Sequence, residues 1–223
     1  MTRKLNLAVA QMGPVHLADT RERVVQRLLA MLREAKGRGA EFVVFPELAL
    51  TTFFPRYWMT GQEEIDRFFE REMPNAATKP LFDEAKKLDV GFYLGYAELT
   101  TDGHRFNTPS LNIHWPEPPH LRMFTHLLLL QAHAHENALW VGAAAKCGAE
   151  DGFHMIGGSC IVAPSGEIAA QSMTEDDEVI AVNCDLALGD TFREHVFNFA
   201  KHRRPEHYRL IVERTGAGEP LGD

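Results

Sequence analysis

Cysteine is scarce in this sequence, and the three that occur, Cys147, Cys160 and Cys184, are scattered without a C-x-x-C spacing. An odd, scattered set argues against a disulfide framework and against a structural zinc site. Free thiols persist where the surroundings are reducing, so we expect a cytoplasmic protein.

Excess positive charge and long apolar runs are also missing. The 223 residues carry a net charge of −8, which argues against nucleic-acid or anionic membrane partners because both require clustered Lys and Arg. No apolar run approaches membrane-spanning length, and the N-terminal run, broken by Gln11, is typical of a first strand rather than a signal peptide. The length fits one α/β domain over residues 1–223.

A buried strand that ends in a carboxylate is the first feature that indicates a function. In the stretch AEFVVFPELALTTFFPR, residues 42–46 show no polar alternation, which predicts a strand covered on both faces within a parallel sheet. Glu47 follows at the C-terminal end of that strand, where α/β proteins gather ligands and catalytic groups. From the residues alone, Glu47 is either a catalytic acid or base or a carboxylate that caps the next segment.

The remaining pattern predicts alternating strands and helices. A strand over residues 5–11 precedes a helix that starts at the pair Asp19 and Glu22 and stops near Gly37. This order predicts parallel neighbouring strands. Further predicted elements are helices near 62–70, 80–88 and 121–137, hairpins around 102–103 and 164–166, and strands within 139–145 and 178–186.

Several stretches of the sequence together carry a family resemblance. FVVFPELALTTFFP looks like a first catalytic motif, GYAEL like a second sheet region, and HENALWVGAAAKCG with GGSCIVAPSGEI like a late core. The tail REHVFNFAKHRRPEHY completes the set. With these motifs the chain resembles the carbon-nitrogen hydrolases of the nitrilase superfamily, and more closely the N-carbamoyl-D-amino acid amidohydrolases.

The resemblance implies an α-β-β-α sandwich and a Glu-Lys-Cys triad. In such a triad the cysteine attacks as a thiolate, a carboxylate takes its proton, and the lysine ammonium stabilises the oxyanion. By match to the motif, Glu47 is the general base, while Phe53, Asn107 and Thr108 are candidates for substrate binding. The implied reaction converts an N-carbamoyl-D-amino acid to the D-amino acid, ammonia and carbon dioxide. The resemblance also implies a homodimer or homotetramer, with residues 192–223 as a tail that reaches a second subunit.

The sequence departs from the family where the lysine and the cysteine should stand. Neither motif is present, and NTPSLNIHWPEPPH resembles a segment that follows the cysteine in the family. We therefore expect a shortened sandwich that has lost a central segment near residues 107–110. Asn107 and Thr108 then suit either the early strand or the later loop.

The retained cysteines and Lys146 are poor replacements for the missing groups. Cys160 lies in an apolar strand, and the neighbouring aspartate should raise the thiol pKa of Cys184. Cys147 ends a predicted strand and is the least implausible nucleophile. Lys146 is expected to be a surface lysine, because neighbours on a strand point to opposite faces.

The histidines and leucines of the predicted 121–137 helix indicate structure rather than chemistry. His133 and His135 are two residues apart and face different directions, whereas a helical metal pair is spaced by three or four. We expect no metal and no cofactor. The stripe Leu127, Leu128 and Leu130 is typical of core.

Two function classes remain open. The first is a thiol-dependent amidohydrolase acting on a small N-carbamoyl amino acid, with Glu47 as base. The second is a catalytically silent member, retained as a scaffold or partner subunit, or produced by an internal deletion.

Overall fold

The computed structural model describes residues 3–107 and 118–213, so Thr108 and most of the predicted join lie outside the described residues. The strands are Lys4–Gln11 (β1), Phe42–Val44 (β2), Gly91–Tyr93 (β3), Ala97–Leu99 (β4), Arg105–Asn107 (β5), Val141–Ala143 (β6), Cys147–Glu150 (β7), Phe153–Ile156 (β8), Cys160–Val162 (β9), Ile168–Gln171 (β10) and Glu178–Asp185 (β11). The helices are Arg21–Gly37 (α1), Gln62–Asp66 (α2), Lys79–Leu88 (α3), Pro119–Glu136 (α4), Asp190–Glu194 (α5), Phe199–His202 (α6) and Arg209–Glu213 (α7), with 3-10 turns at Phe54–Arg56 and Pro205–His207.

The first sheet has the strand order β11-β1-β2-β3. β1, β2 and β3 run parallel, with Val9 opposite Val44 and Val44 opposite Tyr93, which confirms the predicted crossover through α1. β11 pairs antiparallel with the whole of β1, from Lys4 opposite Asp185 to Gln11 opposite Glu178. The C-terminal ends of β2 and β3 therefore meet at one edge, and Glu47 follows β2 there.

The second sheet has the order β10-β9-β6, and two separate hairpins, β4–β5 and β7–β8, complete the strands. The hairpin β7–β8 was not predicted, although its turn contains Asp151 and Gly152, both with positive φ. Asp-Gly is a strong hairpin signal because both central residues of such a turn need φ > 0. The same signal correctly predicted the β4–β5 turn at Asp102 and Gly103.

The layers form an α-β-β-α sandwich, as predicted. Along β1, Ala8 and Ala10 join the core between the first sheet and the helices α1 and α3, whereas Leu7 and Val9 face the second sheet. This alternation is the two-residue period of a strand covered on both sides. The outer face of the second sheet packs against α4, in a core of Leu130, Ala134, Cys160 and Val162.

Three local predictions need correction. Thr20, not Asp19, is the N-cap of α1, and its hydroxyl accepts from the backbone N–H of Arg23. α2 ends at Asp66, short of the predicted residue 70. Leu128 is 50% exposed, while Leu130 is buried, because only one side of α4 packs on the second sheet.

The other predictions for α4 concern its histidines. His126 is buried, and its Nε2 lies 3.2 Å from the carbonyl oxygen of Gly158. Among residues 3–107 and 118–213, no three His, Cys, Asp or Glu side chains form a group that could hold a metal ion.

Within the same ranges, no helix is long and apolar enough to cross a membrane.

Candidate active site

Glu47 stands in a tightly fixed turn after β2. Leu48 has a φ of 48°, which turns the chain sharply directly after the carboxylate. The backbone N–H of Ala49 donates to the carbonyl of Gly95 at 2.8 Å. A Cβ at Gly95 would lie 2.6 Å from the carbonyl oxygen of Pro46 and 2.7 Å from Cα of Glu47, so only glycine permits this approach.

Asn107 is the residue that the fold brings to Glu47. It ends β5 opposite Ala97, and its Nδ2 donates to Glu47 Oε1 at 2.8 Å. Asn107 therefore belongs to the early hairpin, which resolves for this residue the choice that the sequence left open. The amide of Asn107 therefore holds one oxygen of the half-buried Glu47 carboxylate.

Phe53 is half-buried and packs at the edge of a small apolar cluster that includes Leu48, Phe54 and Phe68. Phe54 itself is buried, and its ring stacks on Phe68 with centroids 4.8 Å apart. Phe54 is thus core, whereas Phe53 keeps part of its ring accessible. The segment after Glu47 is held in place by this apolar cluster.

A buried ion pair, not foreseen from the sequence, holds the same segment from the other side. Lys146 is only 5% exposed and Glu150 is fully buried, with Nζ and Oε2 3.0 Å apart. Lys146 also donates to the carbonyl of Thr51. The expectation of a surface lysine was therefore wrong, because a carboxylate and a carbonyl compensate the buried charge.

Glu150 gathers donors from three parts of the chain. Its carboxylate accepts from the backbone N–H groups of Val15 at 2.9 Å and Phe53 at 2.7 Å, and Arg56 Nη2 lies 3.1 Å away. Lys146 directly precedes β7 and Glu150 ends it, four residues apart, a spacing that in a strand favours side chains on the same face. That even spacing is the sequence signal that could have predicted the pair.

The ionisation of the pair follows from these contacts. Burial lowers the pKa of Lys146 to about 8, against the attraction of Glu150. Burial opposes ionisation of Glu150 as well, but the charge of Lys146 and the N–H groups of Phe53 and Val15 hold the pKa of Glu150 below its ordinary value. Both groups are charged at neutral pH, and the pair connects β7 to the loop that follows Glu47.

All three cysteines of the chain are buried and free. Burial raises the pKa of the Cys147 thiol to about 12, helped by the negative charges of Asp177, Asp176 and Glu175. Cys147 begins β7, so the prediction that it ends a strand was wrong. A thiol with such a pKa supplies almost no thiolate at neutral pH.

Cys160 and Cys184 are no better placed. Burial raises the pKa of each thiol to about 11. For Cys184 the predicted direction is confirmed, but burial rather than the neighbouring aspartate is the cause. The arrangement therefore offers a fixed carboxylate for proton transfer and no accessible thiol for nucleophilic attack.

A family model described as "Carbon-nitrogen hydrolase" matches residues 6–115 and residues 111–194. Among solved structures, the chain is similar to the Caenorhabditis elegans NitFhit protein, with 20% identity and a TM-score of 0.64 over 93% of this chain and 66% of that chain. The match thus spans slightly less than two thirds of NitFhit.

Two further solved structures are matched over nearly their full length. A carbon-nitrogen hydrolase from Helicobacter pylori shares 15% identity with a TM-score of 0.70, over 95% of this chain and 99% of that chain. An amidase from Nesterenkonia sp. shares 15% identity with a TM-score of 0.64, over 93% of this chain and 96% of that chain. At these identities the likeness shows a common fold.

Proposed function

Since the chain belongs to the carbon-nitrogen hydrolase family, we propose that it derives from hydrolases of N-carbamoyl-D-amino acids, with Glu47 as general base, and that the 223-residue chain is catalytically silent. The family acts on carbon-nitrogen bonds, and Glu47 stands in its first catalytic motif at the C-terminal end of β2. The substrate class rests on the motifs that resemble the carbamoylase branch.

The observation that carries the silent state is the burial of all three cysteines. The implied hydrolysis consumes one water and needs a nucleophile that attacks the carbamoyl carbon. Burial raises the pKa values of the three thiols to about 11 to 12, which leaves almost no thiolate for that attack at neutral pH. In a triad that acts as a unit, losing the nucleophile alone costs roughly a millionfold in rate.

An internal deletion is the simplest origin for such a chain, and we propose that the missing block lies between Asn107 and the segment that leads to α4. The family model matches in two pieces, 6–115 and 111–194, which meet in this region. The pairing of Asn107 in the early hairpin supports a join that follows this residue. The length of the encoding reading frame is the cheapest test of this proposal.

The decisive experiment compares the purified chain with a chain in which the block from the reading frame is restored. Ammonia release from N-carbamoyl-D-alanine, N-carbamoyl-L-alanine and acetamide is measured for both. We expect no release by the 223-residue chain, and release from the D-carbamoyl substrate alone by the restored chain. Glu47→Gln in the restored chain should abolish that release without changing the fold.

Other outcomes would change the assignment. Turnover by the 223-residue chain that disappears in Cys147→Ala would make Cys147 a nucleophile and overturn the silent state. Release from acetamide but not from the carbamoyl substrates would replace the substrate class. The three buried free thiols also support our proposal of a reducing, cytoplasmic location.

We further propose a homodimer or homotetramer formed through the tail over residues 192–223. Phe192 and Phe197 pack against His135 of the same chain, at 5.4 and 5.0 Å between ring centroids. Val196 and Phe199 instead remain 65% and 46% exposed, which supplies an apolar contact for a second subunit.

Sedimentation at micromolar concentration tests this association. The double variant Val196→Asp, Phe199→Asp should sediment as a monomer, because charge cannot be buried in an apolar contact without a partner. Glu194→Gln, also exposed and in the same segment, is the matched control and should leave the oligomer intact. A compact monomer for the unmodified chain would contradict the proposal.

A further inference from the structure

The hydrogen bond between Asn107 and Glu47 joins two elements that are 60 residues apart along the chain. The family resemblance makes Asn107 a candidate for substrate binding, yet its amide nitrogen donates to Glu47 Oε1 at 2.8 Å. An amide nitrogen carries two hydrogens, and one of those of Asn107 is thus directed at the carboxylate. The contact that the fold provides for Asn107 is therefore with the proposed base.

Apolar packing fixes the hairpin that carries Asn107 to the turn that carries Glu47. Ala97 lies opposite Asn107 in the register of β4 and β5, and it is only 1% exposed. Ala97 and Leu48 belong to the same buried apolar cluster, and Leu48 directly follows Glu47. The cluster therefore holds the strand opposite Asn107 against the residue next to Glu47.

An ion pair holds the other end of β5. Arg105, its first residue, donates from Nε and Nη2 to the two carboxylate oxygens of Asp66, at 2.7 and 2.8 Å. These hydrogen bonds are the main cause that lowers the pKa of Asp66 to about 2, so the pair stays charged through the neutral range. β5 is thus attached at its first residue to α2 and at its last residue, Asn107, to Glu47.

A general base works only when its carboxylate is held in the direction of the proton that it takes. The terminal torsion of a glutamate side chain is broad, so a carboxylate turns freely unless a partner holds it. Asn107 supplies that partner from a hairpin that is already in place, which keeps the ordering cost low. We propose that Asn107 is a positioning residue, whose amide holds Oε1 of Glu47 and orients the carboxylate for proton transfer. This inference rests on the proposed role of Glu47 as general base.

The same hydrogen bond has an electrostatic consequence. Glu47 is half-buried, and a donor aimed at a carboxylate stabilises its ionised form relative to the protonated form. Asn107 thus keeps Glu47 in the form that accepts a proton. Removal of the amide should raise the pKa of the Glu47 carboxyl, a change that a purely structural role of Asn107 would not produce.

NMR titration of the 223-residue chain, isotope-labelled at its glutamate carboxyl carbons, tests this consequence without requiring activity. Glu47→Gln identifies the Glu47 signal. Asn107→Leu, which keeps the approximate size but removes the donor, should raise the pKa of Glu47 by about 0.5 to 1, roughly a three- to tenfold change in the acid dissociation constant. Asn107→Asp, of nearly the same shape, should raise it further because it adds a like charge.

Asn183→Leu is the matched control. Asn183 is exposed, its amide also donates to a side-chain oxygen, that of Asn6 at 2.6 Å, and the two lie at the end of the first sheet opposite to Glu47. This variant should leave the Glu47 signal as it is in the unmodified chain. An unshifted or lowered pKa of Glu47 in Asn107→Leu, with circular dichroism unchanged, would overturn the positioning role.

Kinetics of the chain with the restored block separate positioning from substrate binding. Asn107→Leu should lower kcat about tenfold or more with KM unchanged, and the acid limb of its pH profile should move to higher pH. A raised KM with unchanged kcat would overturn the proposal in favour of a substrate ligand. Ammonia release by the restored chain tests the proposed function separately, since its absence would contradict that function whatever the titration of Glu47 shows.

Discussion

The buried pair of Lys146 and Glu150 makes the position of Glu150 highly sensitive to substitution. We expect Glu150→Gln to lower the free energy of unfolding by about 3–5 kcal/mol, the usual cost of removing one partner of a buried ion pair. Val15 N–H donates to Oε2 and Phe53 N–H to Oε1, so the one oxygen of glutamine can accept from only one of them, and glutamine has no charge to compensate Lys146. Its amide N–H groups would also face donors, since every contact of Glu150 is with a donor.

Urea unfolding followed by circular dichroism measures the effect. A loss of this size is a large share of the roughly 5–15 kcal/mol that stabilises an ordinary domain, so the midpoint should fall clearly while the slope stays constant. Glu175→Gln is the control, because Glu175 pairs with His154 at 3.1 Å between two exposed side chains. That variant should change stability by about 0.5 kcal/mol or less.

A second variant tests whether the uncompensated charge of Lys146 causes the loss of stability in Glu150→Gln. In Lys146→Met, Glu150→Gln the buried ammonium that Glu150→Gln alone would leave without a countercharge is removed, while the glutamine oxygen still accepts from a backbone N–H. The double variant should therefore be more stable than Glu150→Gln alone, which is a non-additive result. A change below about 1 kcal/mol in Glu150→Gln, at unchanged slope, would refute the view that this pair organises the loop after Glu47.

Three further outcomes can be measured on the same material. A thiol reagent such as DTNB should label none of the three cysteines in the folded protein at pH 8 and all of them in urea, because each thiol is buried; rapid labelling of the folded chain would contradict this. Gly95→Ala should cost about 1–3 kcal/mol in urea unfolding, since its Cβ would lie 2.6 Å from the carbonyl of Pro46, whereas Gly37→Ala, with nothing within 4 Å, should be neutral or slightly stabilising. Finally, the pKa of Lys146, about 8 when folded, lies below the ordinary 10.5, so the folded state loses this proton first and its stability relative to Lys146→Met should rise as the pH increases from about 8 towards 10.5. A difference that stays constant over that range would show that Lys146 does not titrate there.

Much of the fold could be predicted from the sequence because its signals are local. The apolar run 42–46 predicted a strand covered on both faces, and Val43 does lie in the core under the helices while Phe42 and Val44 pack towards the second sheet. The stripe of α1 and the Asp102-Gly103 turn depend on spacing within a few residues, and both were correct. The missed hairpin β7–β8 carried the same local signal at Asp151 and Gly152, so this information was present in the sequence but not used.

The sequence by itself also determined that Glu47 follows a buried strand and that no cysteine motif of the expected kind is present. Only the tertiary structure decided the partners, because they are distant along the chain. Asn107 meets Glu47 across 60 residues, and Lys146 meets Thr51 across 95. A lysine is charged wherever it lies, and its burial depends on whether a carboxylate and a carbonyl converge on it. That convergence is produced by the packing of β7 against the loop after β2, which no local pattern encodes.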